Sequence, residues 1–193
     1  GFFEAKISGK GGHAAIPQQS IDPILAASNV ILSLQHLVSR EADPLDSQVV
    51  TIGKCQGGSA YNVIPDSVTI GGTFRAFSKQ SFNQLKQRIE QINSNESIQM
   101  CPKADALMQV IIGQAAVQRC NATVDFLDGV KPFYPPTINN GDLHEHFVNV
   151  AVNMLGINKV ESAMSPFMGA EDFSFYQEVI PGYFFFLGMK NAE

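Results

Sequence analysis

From Ile21 to Arg40 the apolar residues fall at Ile24, Leu25, Ala27, Val30, Ile31, Leu34, Leu37 and Val38, the spacing of an amphipathic helix. Asp22 is placed to cap it and Pro23 to open it. On both sides the hydrophobic period drops from that of a helix to that of a strand. "FFEAKIS" precedes the helix as a strand. "SQVVTIGKCQGG" and "SVTIGGTFRAF" follow it as two more, joined through "SAYNVIPDS" with turn chemistry at Pro65 and Asp66. The helical period returns in "SKQSFNQLKQRIEQI", and "NATVDFLDGV" reads as a closing strand. Each apolar face needs a covering layer, so the order β-α-β-β-α-β predicts an α/β fold of the ferredoxin-like kind, an antiparallel sheet with two helices on one face. That arrangement serves many unrelated activities and assigns none.

The pattern breaks at "KPFYPPTINNGD", where prolines, asparagines and a glycine cluster as at a domain exit. Residues 1–131 read as one domain and residues 132–193 as a piece of a second. The second holds a helix from Leu143 to Leu155, a loop, "EDFSFYQEVI" and a strand "GYFFFLGM". Within the first domain, residues 93–109 have no period and interrupt what would otherwise be one helix continuing through "VIIGQAAVQRC". They read as an insertion in an exposed connection.

Charge and cysteine content narrow the function. A net charge of −5 with no run of Lys or Arg argues against nucleic acid. No apolar run is long enough to span a membrane, and no leader is expected ahead of the first strand. Cys55, Cys101 and Cys120 are odd in number and form no C-x-x-C pair, so neither a disulfide framework nor a structural zinc site is encoded. The sequons at Asn95 and Asn121 matter only in a secretory compartment.

One motif stands out. In "GKGGHAAIP", His13 is set between Gly11-Gly12 and Ala14-Ala15, with glycines expected to take positive φ and bring the backbone close to a neighbour. The simpler reading is a hairpin whose histidine caps its own backbone. Asn62 in "AYNVIP", Arg75 in "GGTFRAF" and Glu171-Asp172 in "MGAEDF" are also polar groups beside small residues in apolar stretches. A histidine, an amide and a guanidinium can together bind a carboxylated ligand and donate to an oxyanion. His144 and His146 point about 200° apart on a helix and cannot close on one ion, so they read as solvated. His36 fits the last turn of the first helix, where it suits the helix dipole. Gly57-Gly58 and Gly71-Gly72 mark a strand end and a bulge.

Taken in order, "GFFEAKISGKGGHAAIPQQSIDPILAASNVILSLQHLVSRE", "GGSAYNVIPDSVTIGGTFRAF", "AAVQRCNATVDF", "PPTINN" and "MGAEDFSFYQEVIPGYFFFLGM" resemble the plant indole-3-acetyl-amino-acid hydrolases. These belong to the aminoacylase, hippurate hydrolase and carboxypeptidase group of metallopeptidases. The resemblance implies a zinc-peptidase-like catalytic domain holding two divalent ions, Mn or Zn, with a ferredoxin-like lid or dimerisation domain inserted into it. It implies that His13 reaches over a site in another domain or subunit to stabilise a tetrahedral oxyanion, and that Asn62 and Arg75 contact the substrate's carboxylate. It places Gly169, Glu171 and Asp172 beside the metal centre, supporting its ligands.

The family's ion ligands fall before "GFFEA" and after "FLGM". The chain is therefore expected to comprise the lid and part of the catalytic domain, and to bind no ion alone. The implied reaction is metal-dependent hydrolysis of the amide of an N-acyl amino acid, an auxin conjugate above all. The implied partners are that substrate and a second copy through the lid, and the implied compartment is the lumen of the endoplasmic reticulum. The alternatives are a catalytically inactive dimerisation module that binds a full-length relative, and a free-standing domain that binds small carboxylates. The missing period of residues 93–109 gives a first test. Deleting them is expected to leave the melting temperature unchanged or raised, and a large fall would show that they contribute to the core.

Overall fold

A computed structural model of the chain describes residues 1–90 and 110–189. The insertion expected at residues 93–109 lies outside the described residues. The chain divides into two compact units, Gly1–Phe133 and Tyr134–Glu193.

The first unit contains β1 (Phe2–Ser8), β2 (Gly12–His13), α1 (Pro23–His36), β3 (Gln48–Gln56), β4 (Val63–Ile64), β5 (Ser67–Ala76), α2 (Lys79–Glu90), α3 (Val110–Val117) and β6 (Asn121–Asp125). Four of the strands form one antiparallel sheet in the order β3-β5-β1-β6. β2 and β4 pair separately as a short ribbon. This is the α/β arrangement that the period changes predict. The second helical layer consists of two pieces, α2 and α3, on either side of residues 91–109.

Why α1 forms where it does is local. The Asp22 carboxylate accepts hydrogen bonds from the Ile24 and Leu25 amides at 2.8 and 3.3 Å, and Pro23 opens the first turn without needing a bond of its own. Ala26, Ala27, Val30 and Leu34 make the buried stripe, while Ile24 and Leu25 lie to its side and stay half exposed. In the sheet, Phe3, Ala5 and Ile7 of β1 and Val68, Ile70 and Phe74 of β5 face the helices. The alternate residues, among them Glu4, Lys6 and Thr73, face outward, as in an antiparallel sheet wet on one side. Glu4 and Lys54 pair across that outer face at 2.6 Å, an exposed ion pair worth about 1 kcal/mol or less.

The expected bulge is present on the edge strand. The register shifts at Gly53, with Ile52 opposite Gly72 and Lys54 opposite Gly71. A Cβ on Gly72 would run into the Thr51 carbonyl oxygen, so the bulge depends on glycine there.

The second unit holds α4 (Gly141–Leu155), opened by the Asn140 side chain accepting from the Leu143 amide at 3.1 Å, and the short α5 (Phe173–Gln177). "GYFFFLGM" does not form the expected strand. A strand needs a neighbour, and none pairs with this segment among the described residues. The Asn139 side-chain amide takes that place. It donates to the Phe184 carbonyl at 2.8 Å and accepts from the Phe184 amide at 2.7 Å. His144 is not solvated as expected. It is half-buried, with Nδ1 3.1 Å from the Tyr183 hydroxyl, whereas His146 is exposed. Among the described residues of this unit only Ser174 is buried, and Phe185, Phe186 and Leu187 are largely open.

The core of the first unit turns on Phe74, which is 1% exposed, stacks on Phe82 with ring centroids 4.9 Å apart, and meets the edge of Phe126 at 5.7 Å. Phe74→Ala is expected to lower the unfolding free energy by about 3–5 kcal/mol in urea titrations, and a loss below about 1 kcal/mol would show that this cluster is not the core's centre. Burial, followed by the nearby Asp22 charge, raises the pKa of the Cys120 thiol, while Cys55 is exposed. Brief alkylation of the folded protein is therefore expected to label Cys55 and spare Cys120, as read by peptide mass spectrometry.

Candidate functional site

The segment after β1 is held by backbone bonds on both sides. Lys10 and Ile21 exchange amide bonds, each 2.9 Å, and the Gly9 amide donates to the Asp66 carbonyl at 2.9 Å. The Gly11 amide donates to Asp66 Oδ1, also at 2.9 Å. Beyond it Gly12 pairs with Ile64 and His13 with Val63, and the Ala14 amide donates to the Asn62 carbonyl at 2.9 Å.

These contacts explain the glycines and correct one expectation. Among the described glycines, positive φ occurs at Gly58 and Gly156, not at Gly11 or Gly12. What those positions require is space. A Cβ on Gly11 would lie 2.7 Å from the Ile64 carbonyl oxygen and 3.0 Å from Asp66 Oδ1. A Cβ on Gly12 would meet the buried Ser20 hydroxyl, and one on Gly9 the Ile21 carbonyl oxygen. The expected close approach is therefore the whole reason for glycine at these sites.

His13 is exposed, and its Nδ1 accepts a hydrogen bond from the Ala15 amide at 3.1 Å. This is the local backbone cap of the simpler reading, and it has a chemical consequence. An accepting Nδ1 carries no proton, so the hydrogen-bond network assigns the neutral ring its proton on Nε2. His13 makes no other hydrogen bond among the described residues, which leaves Nε2–H as an outward donor. Asn62, across the ribbon, is exposed, and its side-chain amide has no hydrogen-bond partner among those residues. His13 and Asn62 are therefore brought together by the β2–β4 ribbon.

Arg75 is not with them. It lies half-buried near the far end of β5, paired in register with Val49. Eight residue steps along the strand separate it from Ser67, roughly 26 Å at about 3.3 Å per step.

In the second unit the Glu171 carbonyl accepts from both the amide and the hydroxyl of Ser174, at 3.2 and 2.7 Å. Asp172 precedes α5 with a helical backbone, and its side chain makes no capping bond. A Cβ on Gly169 would overlap the Phe167 ring. No three His, Cys, Asp or Glu side chains converge to hold an ion among the described residues, so these residues do not fit a metal centre by themselves. Sequence reasoning read Asp66 as turn chemistry alone. Its position at the close of "NVIPD", where the chain returns toward the glycine segment, is the signal that could have marked it.

Residues 2–101 match the M20 peptidase dimerisation domain. The chain is 66% identical over 99% of its length to IAA-amino acid hydrolase ILR1-like 4 of Arabidopsis thaliana, covering 39% of that protein. It is 37% identical over 96% of its length to N-acetyl-L-cysteine deacetylase of Bacillus subtilis, again covering 39%. Among solved structures, it is similar to the Bacillus subtilis YXEP protein, described as a dinuclear metal binding peptidase from the M20 family. The TM-score there is 0.57 with 30% identity, over 94% of this chain and 38% of that one. The chain thus spans about two fifths of the length of these relatives. The dimerisation-domain match, which spans just over half of the chain, places it in the M20 peptidase dimerisation-domain family.

Proposed function

We propose that the chain is the lid and part of the catalytic domain of a metal-dependent amidohydrolase that cleaves N-acyl amino acids, with auxin conjugates as the substrate class. The observation that carries this reading is the hydrogen bond from the Ala15 amide to His13 Nδ1, which leaves Nε2 as the ring nitrogen free to donate. Attack on an amide carbonyl turns its oxygen into an oxyanion, and a fixed donor at that point stabilises the transition state more than the ground state. With Nδ1 engaged by the Ala15 amide, Nε2 is the ring nitrogen that can serve this role. Asn62 stands beside it to supply an amide to the same substrate. The divalent ions of such an enzyme, and the water they activate, belong in this reading to residues outside those described, with Gly169, Glu171 and Asp172 supporting that centre. The proposed compartment is the lumen of the endoplasmic reticulum.

The distance from Arg75 to His13 supports a second copy as the other half of the site. β3 is an edge of the sheet, and two copies joined antiparallel through β3 would set Gln48 of one beside Gln56 of the other. Strand direction then reverses, so the Arg75 end of one copy meets the ribbon end of its partner. Three strand spacings, roughly 15 Å at about 4.8 Å each, replace the longer path within one chain. Arg75 of one copy can then hold the carboxylate of a substrate whose amide lies under the partner subunit's His13.

The test uses a full-length hydrolase carrying this chain in place of its own matching segment. His13→Ala should lower kcat by roughly 10²–10³ with KM and metal content nearly unchanged, the cost of one oxyanion donor. Arg75→Ala should instead raise KM strongly. Normal turnover in His13→Ala would reduce the motif to a turn and favour the inactive dimerisation module.

A further inference from the structure

The ribbon that carries His13 is too short to hold its own shape. β2 has two residues and two partners in β4, and a lone two-stranded ribbon is at best marginal in water. Something outside the ribbon must order it. The structure points to Asp66, the residue between β4 and β5. Its carbonyl takes the Gly9 amide and its carboxylate takes the Gly11 amide, both at 2.9 Å, so one residue grips the backbone on both sides of Lys10. The second bond is charge-assisted and depends on Gly11, because the Cβ of any other residue there would lie 3.0 Å from Oδ1 and 2.7 Å from the Ile64 carbonyl.

We propose that Asp66 is a positioning residue that fixes the His13 ring, and thereby its outward Nε2–H, by anchoring Gly9 and Gly11. It makes no hydrogen bond to His13, and acts through the backbone that leads to it. The proposal rests on the reading of His13 as an oxyanion donor only for its effect on turnover. Its effect on the ring is independent of that reading.

Two measurements separate these. In this chain, ¹⁵N shifts of the His13 ring and exchange of the Ala15 amide report the order of the ring directly. Asp66→Ala should raise Ala15 exchange about tenfold and move the ring shifts toward a mixture of tautomers. Asp66→Asn, which keeps an acceptor oxygen for Gly11, should stay within about threefold of the parent. If Asp66→Ala does not fold, Asp66→Ser draws the acceptor back from Gly11 and gives the same comparison. In the full-length hydrolase, Asp66→Ala should lower kcat about tenfold at nearly constant KM, and should add little to His13→Ala, because the two act as one unit.

Unchanged Ala15 exchange and ring shifts in Asp66→Ala would overturn the proposal. So would equal damage from Asp66→Asn and Asp66→Ala, which would make the charge and not the anchor the cause. If His13→Ala turns over normally, the oxyanion reading falls, and the exchange and shift data alone decide whether Asp66 orders the ring.

Discussion

The close approach of the Gly9–Gly12 backbone to Ile21, Ile64 and Asp66 is the constraint on which the rest of the lid depends. No side chain fits at Gly9, Gly11 or Gly12 without displacing a carbonyl, a carboxylate or the Ser20 hydroxyl. Because the chain can run so close, amides that would otherwise point into solvent find partners at 2.9 Å in Asp66 and Ile21. The segment that results is tied to the ends of two elements, α1 through Ile21 and β5 through Asp66. His13 is then displayed from a fixed base, and the Ala15 amide selects which ring nitrogen holds the proton.

The second constraint is the length of the sheet. An antiparallel strand carries its two ends far apart, and β5 runs ten residues from Ser67 to Ala76. The ribbon emerges at one end and Arg75 sits near the other, so no side-chain rearrangement within one copy brings both to a small substrate. In the reading proposed above, the chain carries two half-sites on one layer, with β3 as the edge strand through which a second copy would be added. In this reading, dimerisation and substrate binding are consequences of the same geometry.

Much of the first unit was legible because burial leaves a period. The stripe of α1, the alternation in β1 and β5 and the bulge facing Gly71-Gly72 all follow from which side chains must avoid water. Three features did not show in the sequence, for different reasons. A strand is a property of a pair, so "GYFFFLGM" has the composition of one, yet Phe184 is matched by a side-chain amide and not by a ladder. The residues of the candidate site were visible singly, as polar groups among small ones, but their grouping depends on register. Nothing in "GGTFRAF" says that Arg75 lies opposite Val49, at the far end from His13. Asp66 read as turn chemistry alone because its side-chain bond crosses 55 positions to a glycine amide, and only its place at the close of "NVIPD" hints at that bond.

Sharing of one active site between two copies is tested most directly by mixing variants. Full-length hydrolases bearing His13→Ala and Arg75→Ala are combined, allowed to exchange subunits, and assayed at substrate well below KM. If His13 and Arg75 of different copies serve one site, half of the randomly paired dimers carry one intact site of two, and activity recovers to about a quarter of the parent's. Activity no greater than that of the separate variants, with subunit exchange confirmed, would contradict it.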